Sequence, residues 1–223
     1  MDVTLVLNTY EHRNLMNQQH DKRKLKGAET KRLLVQSAIS TIATLGLSQL
    51  TLDKVAESVG VSRANVIFHF QTKHQLIEEA LLFLSHSYQQ GRDKIAYQKY
   101  KSTMAKVLAI LDYDIRFAHE NQQYISAWHA FWGESQGSEM YKIISVPRDK
   151  GYARDLQKLL SILIEENDCK KSELQTITAT LTAIQFGIWV KIHLNPEADD
   201  LKIGKKSVRL FLSKVFPNQK LPV

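Results

Sequence analysis

The 223-residue chain has little of what punctuates or cross-links a fold. A single cysteine, Cys169, excludes an internal disulfide and fits a reducing compartment, so a cytoplasmic setting is expected. Four prolines and nine glycines leave few places where a helix must stop, and apolar residues recur at spacings of three and four. The expectation is an all-α chain. No apolar run approaches the roughly eighteen residues of a membrane span, and no secretory signal is visible, so no membrane partner is expected. A Gly-rich phosphate loop, a Gly-x-Ser-x-Gly elbow and a His-Glu-x-x-His helix are also missing, which argues against the common enzyme chemistries. Cys169 sits in the polar turn NDCKK and reads as an inert, exposed thiol. Asp112, Asp114 and His119 offer metal-binding atoms, but charges in mid-helix read as a solvated face, so no metal site and no cofactor are expected.

What is present is charge of one sign in one place. The net charge is +7, and residues 13–73 hold ten basic against four acidic side chains. Such an excess suits a polyanionic partner. Within it lies TLDKVAESVGVSRANVIFHF, residues 51–70. Thr51 is a good N-cap with Asp53 in the first turn, and Leu52, Val55, Ala56 and Val59 form one buried stripe. Gly60 supplies a left-handed stop and Ser62 caps a second helix two residues later. Val61 and Val66 are expected to pack beneath the turn, leaving Arg63, Ala64 and Asn65 outward. Arginine can bond guanine O6 and N7 as a pair, and asparagine adenine N6 and N7. A helical hairpin in any bundle shares some of these features. Their joint spacing reads as a helix-turn-helix for double-stranded DNA.

Around this unit, residues 29–45 read as an amphipathic helix ended by Gly46. Thr72 with Gln75 forms a capping box that opens a long helix through Leu76, Ala80, Leu81 and Leu84. Residues 1–27 read as a flexible arm in which the basic cluster at 22–26 could follow phosphates, and Met16 stands as an alternative translation start. Residues 28–88 would be the DNA-binding domain. From position 29 to 76 the chain resembles the N-terminal domain of the TetR family of bacterial repressors, above all in VSRANVIFHFQTKHQL. The resemblance implies that Arg63, Ala64 and Asn65 read bases. It also implies that Thr51, Ser62, His69 and Lys73 lie at the phosphate backbone. Ile67 stands where the family often has a phosphate-binding tyrosine.

Residues 89–216 would then form a ligand-sensing and dimerisation domain, followed by a tail at 217–223. A helix is expected over 101–119. In YISAWHAFWGES, Tyr124, Trp128, Phe131 and Trp132 fall at helical spacings, which suits either a core or an aromatic-walled pocket for an organic cation. The W-x-x-F-W segment, and GIWVKIHLN with Trp189, are similar to the C-terminal domain of the choline-responsive BetI branch of that family. The resemblance implies a choline-like effector held by Tyr124, Trp128, Phe131, Trp132 and Trp189, with a lipophilic drug or acyl molecule as the other ligand class. Further helices are read at 154–166, at 172–193 from a Ser172–Gln175 capping box, and at 199–216. The last two, rich in small and apolar residues, are expected to pair two copies into a homodimer. A helical ligand carrier or enzyme without specific DNA binding is the different-class alternative.

Overall fold

The computed structural model describes residues 3–134, 139–197, 199–219 and 221, with side chains from Lys24 onward except at 147 and 148. Among the described residues there is no strand. The helices are α1 (Val3–Leu45), α2 (Leu52–Val59), α3 (Arg63–Phe70), α4 (Lys73–Tyr97), α5 (Thr103–Glu120), α6 (Gln122–Gly133), α7 (Glu139–Glu166), α8 (Leu174–Leu194) and α9 (Asp200–Val215).

The arm expected over 1–27 is, from Val3 onward, a continuation of α1. No proline interrupts the chain before position 147, and the lone Gly27 costs only about 1 kcal/mol within a helix. The side chains at 22 and 23, part of the basic cluster, lie outside the described residues. At its other end α1 stops at Gly46, whose φ of 85° is left-handed. Leu34, Ala38 and Ile42, with Val35 and Ile39, bury one face of α1 against Leu50, Val55, Ala56 and Val66. Burying each large side chain stabilises the unit by about 1.5–3 kcal/mol.

α2 and α3 are fixed by their ends. Thr51 accepts from the amide of Lys54 and Ser62 from that of Asn65, each at 3.2 Å. Gly60, at φ 74°, donates to Glu57 O while Val61 donates to Ala56 O, the paired bonds of a Schellman stop. Thr72 caps α4 through the amide of Gln75 at 3.1 Å. α4 then runs 25 residues, about 37 Å at the helical rise, from the three-helix head into the larger domain.

In that domain α5 is the central helix and is buried nearly all round. Met104, Val107, Leu108, Leu111 and Ile115 face α7, α8 and α9, whereas Ile110, Tyr113, Phe117 and Ala118 join a core continuous with that of the head. At Gly91 the Tyr113 side chain of α5 lies directly against α4. A Cβ there would lie 2.2 Å from the Tyr113 hydroxyl, which itself donates to Tyr88 O at 2.7 Å. α6 runs along α1, and Gln123 Nε2 donates to Ser40 Oγ at 2.9 Å.

Two further helix starts differ from expectation. α7 begins at Glu139 rather than 154. The Ser172–Gln175 capping box does not form, because Lys171–Glu173 makes a 3-10 turn that leads into α8 without a side-chain cap. By length and composition Lys171–Leu194 is also apolar enough to cross a membrane, although less than a third of it is buried. It bears an exposed stripe of Ala179, Ala183 and Gly187, with Phe186 beside it, half-exposed and packed on the Trp132 ring of α6 at 4.9 Å. Beyond α9, Phe216 is fully buried and Leu221 packs partly against the same core.

Candidate nucleic-acid interface and effector cavity

The outer face of α3 follows from which residues hold its inner face. Val66 and Phe70 are buried, so a helix turning about 100° per residue carries Arg63, Ala64, Ile67 and Phe68 outward together. Phe68 is 81% exposed. Arg63 extends from the first turn and its Nη1 bonds Asp53 Oδ2 at 2.8 Å across the turn, an exposed pair that a DNA base can replace at small cost. Asn65, expected to face outward, is half-buried beside Val66, and its Oδ1 is buried without a hydrogen-bond partner. The correction is geometric: one position before a buried valine lies on the flank of the helix. Sequence reasoning missed Phe68 as a surface group. Its spacing of four and five from Ala64 and Arg63 carried the signal.

The other expected contacts surround this face. Thr51 and Ser62 are exposed, and while each oxygen accepts an amide its hydroxyl proton remains free to donate. Lys73 Nζ donates to Ser48 O at 3.3 Å, and His69 is half-buried. Burial, helped by the charge of Lys31, lowers the His69 pKa below 6.5 and keeps the ring neutral at pH 7.

The second site lies between α4, α5, α6, α7 and α8, in a cavity of about 450 Å³. Its walls are aromatic: Tyr88, Trp128, Trp132, Tyr141, Tyr152 and Trp189 all line it. Tyr88 meets Trp128 and Trp189 edge-on at 6.0 and 5.6 Å between ring centres, and Trp132 stacks on Trp189 at 6.3 Å. Of the five expected ligand residues, Trp128, Trp132 and Trp189 therefore line the cavity. Tyr124 and Phe131 do not. Tyr124 packs edge-on against Phe83 at 6.0 Å, one turn before Trp128, and Phe131 is rotated into the core.

The floor is Asp114, and here expectation is overturned. Read as part of a solvated face, Asp114 is 1% exposed. Tyr88 donates to its Oδ1 at 2.6 Å, Tyr152 and Gln185 donate to Oδ2, and Arg92 Nη1 lies 3.5 Å away. Trp189 Nε1 donates to its main-chain oxygen at 3.1 Å. Burial raises the carboxyl pKa, while Arg92 and the three donors pull it back. The same burial, with Asp114 beside them, holds the Tyr88 and Tyr152 hydroxyls protonated as donors. A signal existed: Asp114 lies three residues after Leu111 and four before Ala118, on a buried face. Asp112 instead pairs twice with Arg209 at 2.7 Å. Among the described residues no group of three or more His, Cys, Asp and Glu side chains could hold a metal ion. Glu134 is exposed at the end of α6.

Ring faces attract a positive charge, and two carboxylates line the cavity, the buried Asp114, which Arg92 already faces, and the exposed Asp149, so the cavity suits a small organic cation. Outside it, His129 stacks on His193 at 4.4 Å, and burial followed by the neighbouring His193 pushes its pKa down to about 4.

Matches to known protein families cover both regions. Residues 34–80 match the family model described as bacterial regulatory proteins, tetR family. Residues 104–217 match that described as BetI-type transcriptional repressor, C-terminal. The HTH-type transcriptional regulator BetI of Vibrio vulnificus strain YJ016 is 24% identical over 182 residues, 81% of this chain and 89% of that protein. A candidate transcriptional regulator of Pseudomonas aeruginosa PAO1 superposes with a TM-score of 0.72 at 21% identity, over 84% of this chain and 90% of that one. A candidate regulator from Saccharomonospora viridis, solved in complex with choline, superposes with a TM-score of 0.71 at 14% identity, over 83% and 96%.

Proposed function

Because the chain belongs to the TetR family of transcriptional regulators, with a BetI-type C-terminal domain and no enzymatic role, we propose a choline-class effector for its repressor activity. The repressor is a cytoplasmic homodimer that sets two copies of α3 into successive major grooves of a palindromic operator. Arg63, Ala64 and Phe68 meet base edges, with Asn65 at the flank, and Thr51, Ser62, His69 and Lys73 meet phosphates. The exposed stripe on α8, with Ile203 and Leu210 exposed on α9, supports pairing of those helices. Half-sites lie about 34 Å apart, so respacing the heads by a few ångströms mismatches the grooves.

The observation that carries the ligand class is Asp114 beneath a wall of aromatic rings. The choline complex of the Saccharomonospora viridis protein supports the same class. Fluorescence anisotropy on a palindromic duplex recovered by selection from random DNA tests both halves. Nanomolar binding released by choline chloride is the expected result. Release by a neutral lipophile or an acyl ligand but not by choline would replace the ligand class. Ligand binding with no preference for any duplex over random DNA would overturn the operator-binding reading.

A further inference from the structure

Asp114 is held from two mechanically distinct sides. Tyr152 and Gln185 reach it from α7 and α8, inside the larger domain. Tyr88 and Arg92 reach it from α4, the helix that begins at the reading head, and lie four residues apart on one face of it. The cavity touches Tyr88 and Asp114 but not Arg92, whose guanidinium carbon sits 3.8 Å from the centre of the Tyr152 ring.

A cation inside the aromatic walls shares the buried Asp114 with Arg92, while the exposed Asp149 also lines the cavity. Two positive charges then face one buried anion, where repulsion is screened far less than in water. The newcomer weakens the hold of Asp114 on whichever partner can move away. Tyr113 pins α4 from below by donating to the main-chain oxygen of Tyr88, so a change in the set of Tyr88 is a change in the set of α4.

We propose that the joint attachment of Tyr88 and Arg92 to Asp114 is the contact through which occupancy of the cavity is reported to α4. Tyr88 is a positioning residue for the reading head, and the attached state is the one that fits the operator. The inference deepens the function proposed above and rests on it. A rival route runs through α6, where Gln123 bonds Ser40 of α1.

Operator affinity without any ligand distinguishes the two. Tyr88→Phe keeps the ring and removes the bond to Asp114; it is expected to weaken binding to the selected duplex about tenfold, within the usual range of coupling between sites. Binding to random duplex, which needs no half-site spacing, stays unchanged, whereas a folding defect would lower both. Arg92→Gln, a second detachment of α4, is expected to act in the same direction. Gln123→Ala is expected to leave operator binding within about twofold, the scatter of a surface substitution. Operator affinity unchanged in Tyr88→Phe and Arg92→Gln, or lowered by Gln123→Ala alone, would overturn the proposal. Because this measurement contains no effector, it decides the contact whether or not choline releases the wild-type protein.

Discussion

The reading head and the effector cavity solve opposite problems. In the head, the groups proposed to meet DNA lie within one short segment, exposed except for the half-buried Asn65, His69 and Lys73, and two caps and a Schellman stop aim it. In the cavity, the groups come from five helices, and a single carboxylate holds Tyr88, Tyr152, Gln185 and Arg92 together. The head's contacts are therefore nearly independent of one another. Those of the cavity are mutually dependent, since they converge on one carboxylate and removing any of them changes what the others bond.

That difference can be broken experimentally, beginning with the largest effect. Asp114→Ala leaves the guanidinium of Arg92 buried without its anion and is expected to cost about 3–5 kcal/mol of stability by urea denaturation. A loss under about 1 kcal/mol would mean that the network is not a stabilising unit. Next, Arg63→Ala should lose about 1–3 kcal/mol of operator affinity and relax base choice, with choline binding intact. If it weakened all duplexes equally, Arg63 would be a phosphate contact. Trp132→Ala removes one ring face and should raise the choline dissociation constant roughly tenfold, matching a cation–π contact of 1–2 kcal/mol, while ligand-free operator binding holds. Tryptophan fluorescence titration reads this directly.

The smallest effect concerns pH. The His129 pKa is pushed below its ordinary 6.5 to about 4, so the folded state prefers the neutral ring. Its contribution is fully present above about pH 6.5 and is lost as pH falls from there towards 4. The thermal midpoint should fall between about pH 7 and 5, and His129→Phe should flatten that slope. An unchanged slope would place the acid sensitivity elsewhere.

The same contrast decides what could be read in the chain itself. Thr51, Gly60 and Ser62 act within three or four residues of where they stand, so the head follows from local spacing, and its outer face erred only at Asn65 and Phe68. Trp128, Trp132 and Trp189 advertised the cavity by residue type. Tyr88, Tyr152 and Gln185 did not, because nothing local in α4, α7 or α8 announces that their polar ends converge on α5. Asp114 was misjudged for the same reason: a charge in mid-helix is solvated unless distant partners arrive. The start of α1 was misplaced because no stop signal exists before Gly46 and only tertiary context decides how far such a helix extends.

Gly91 carries one more consequence. With the Tyr113 ring seated where a side chain would be, α4 cannot slide along α5 without first unseating that ring. It can still rock about the notch, which makes Gly91 a fulcrum. Eighteen residues separate it from Lys73, a lever arm of about 27 Å at the helical rise. A tilt of about five degrees there would swing the head by about 2 Å, so on the proposal above a disturbance smaller than a water molecule beside Tyr88 would be enlarged along α4.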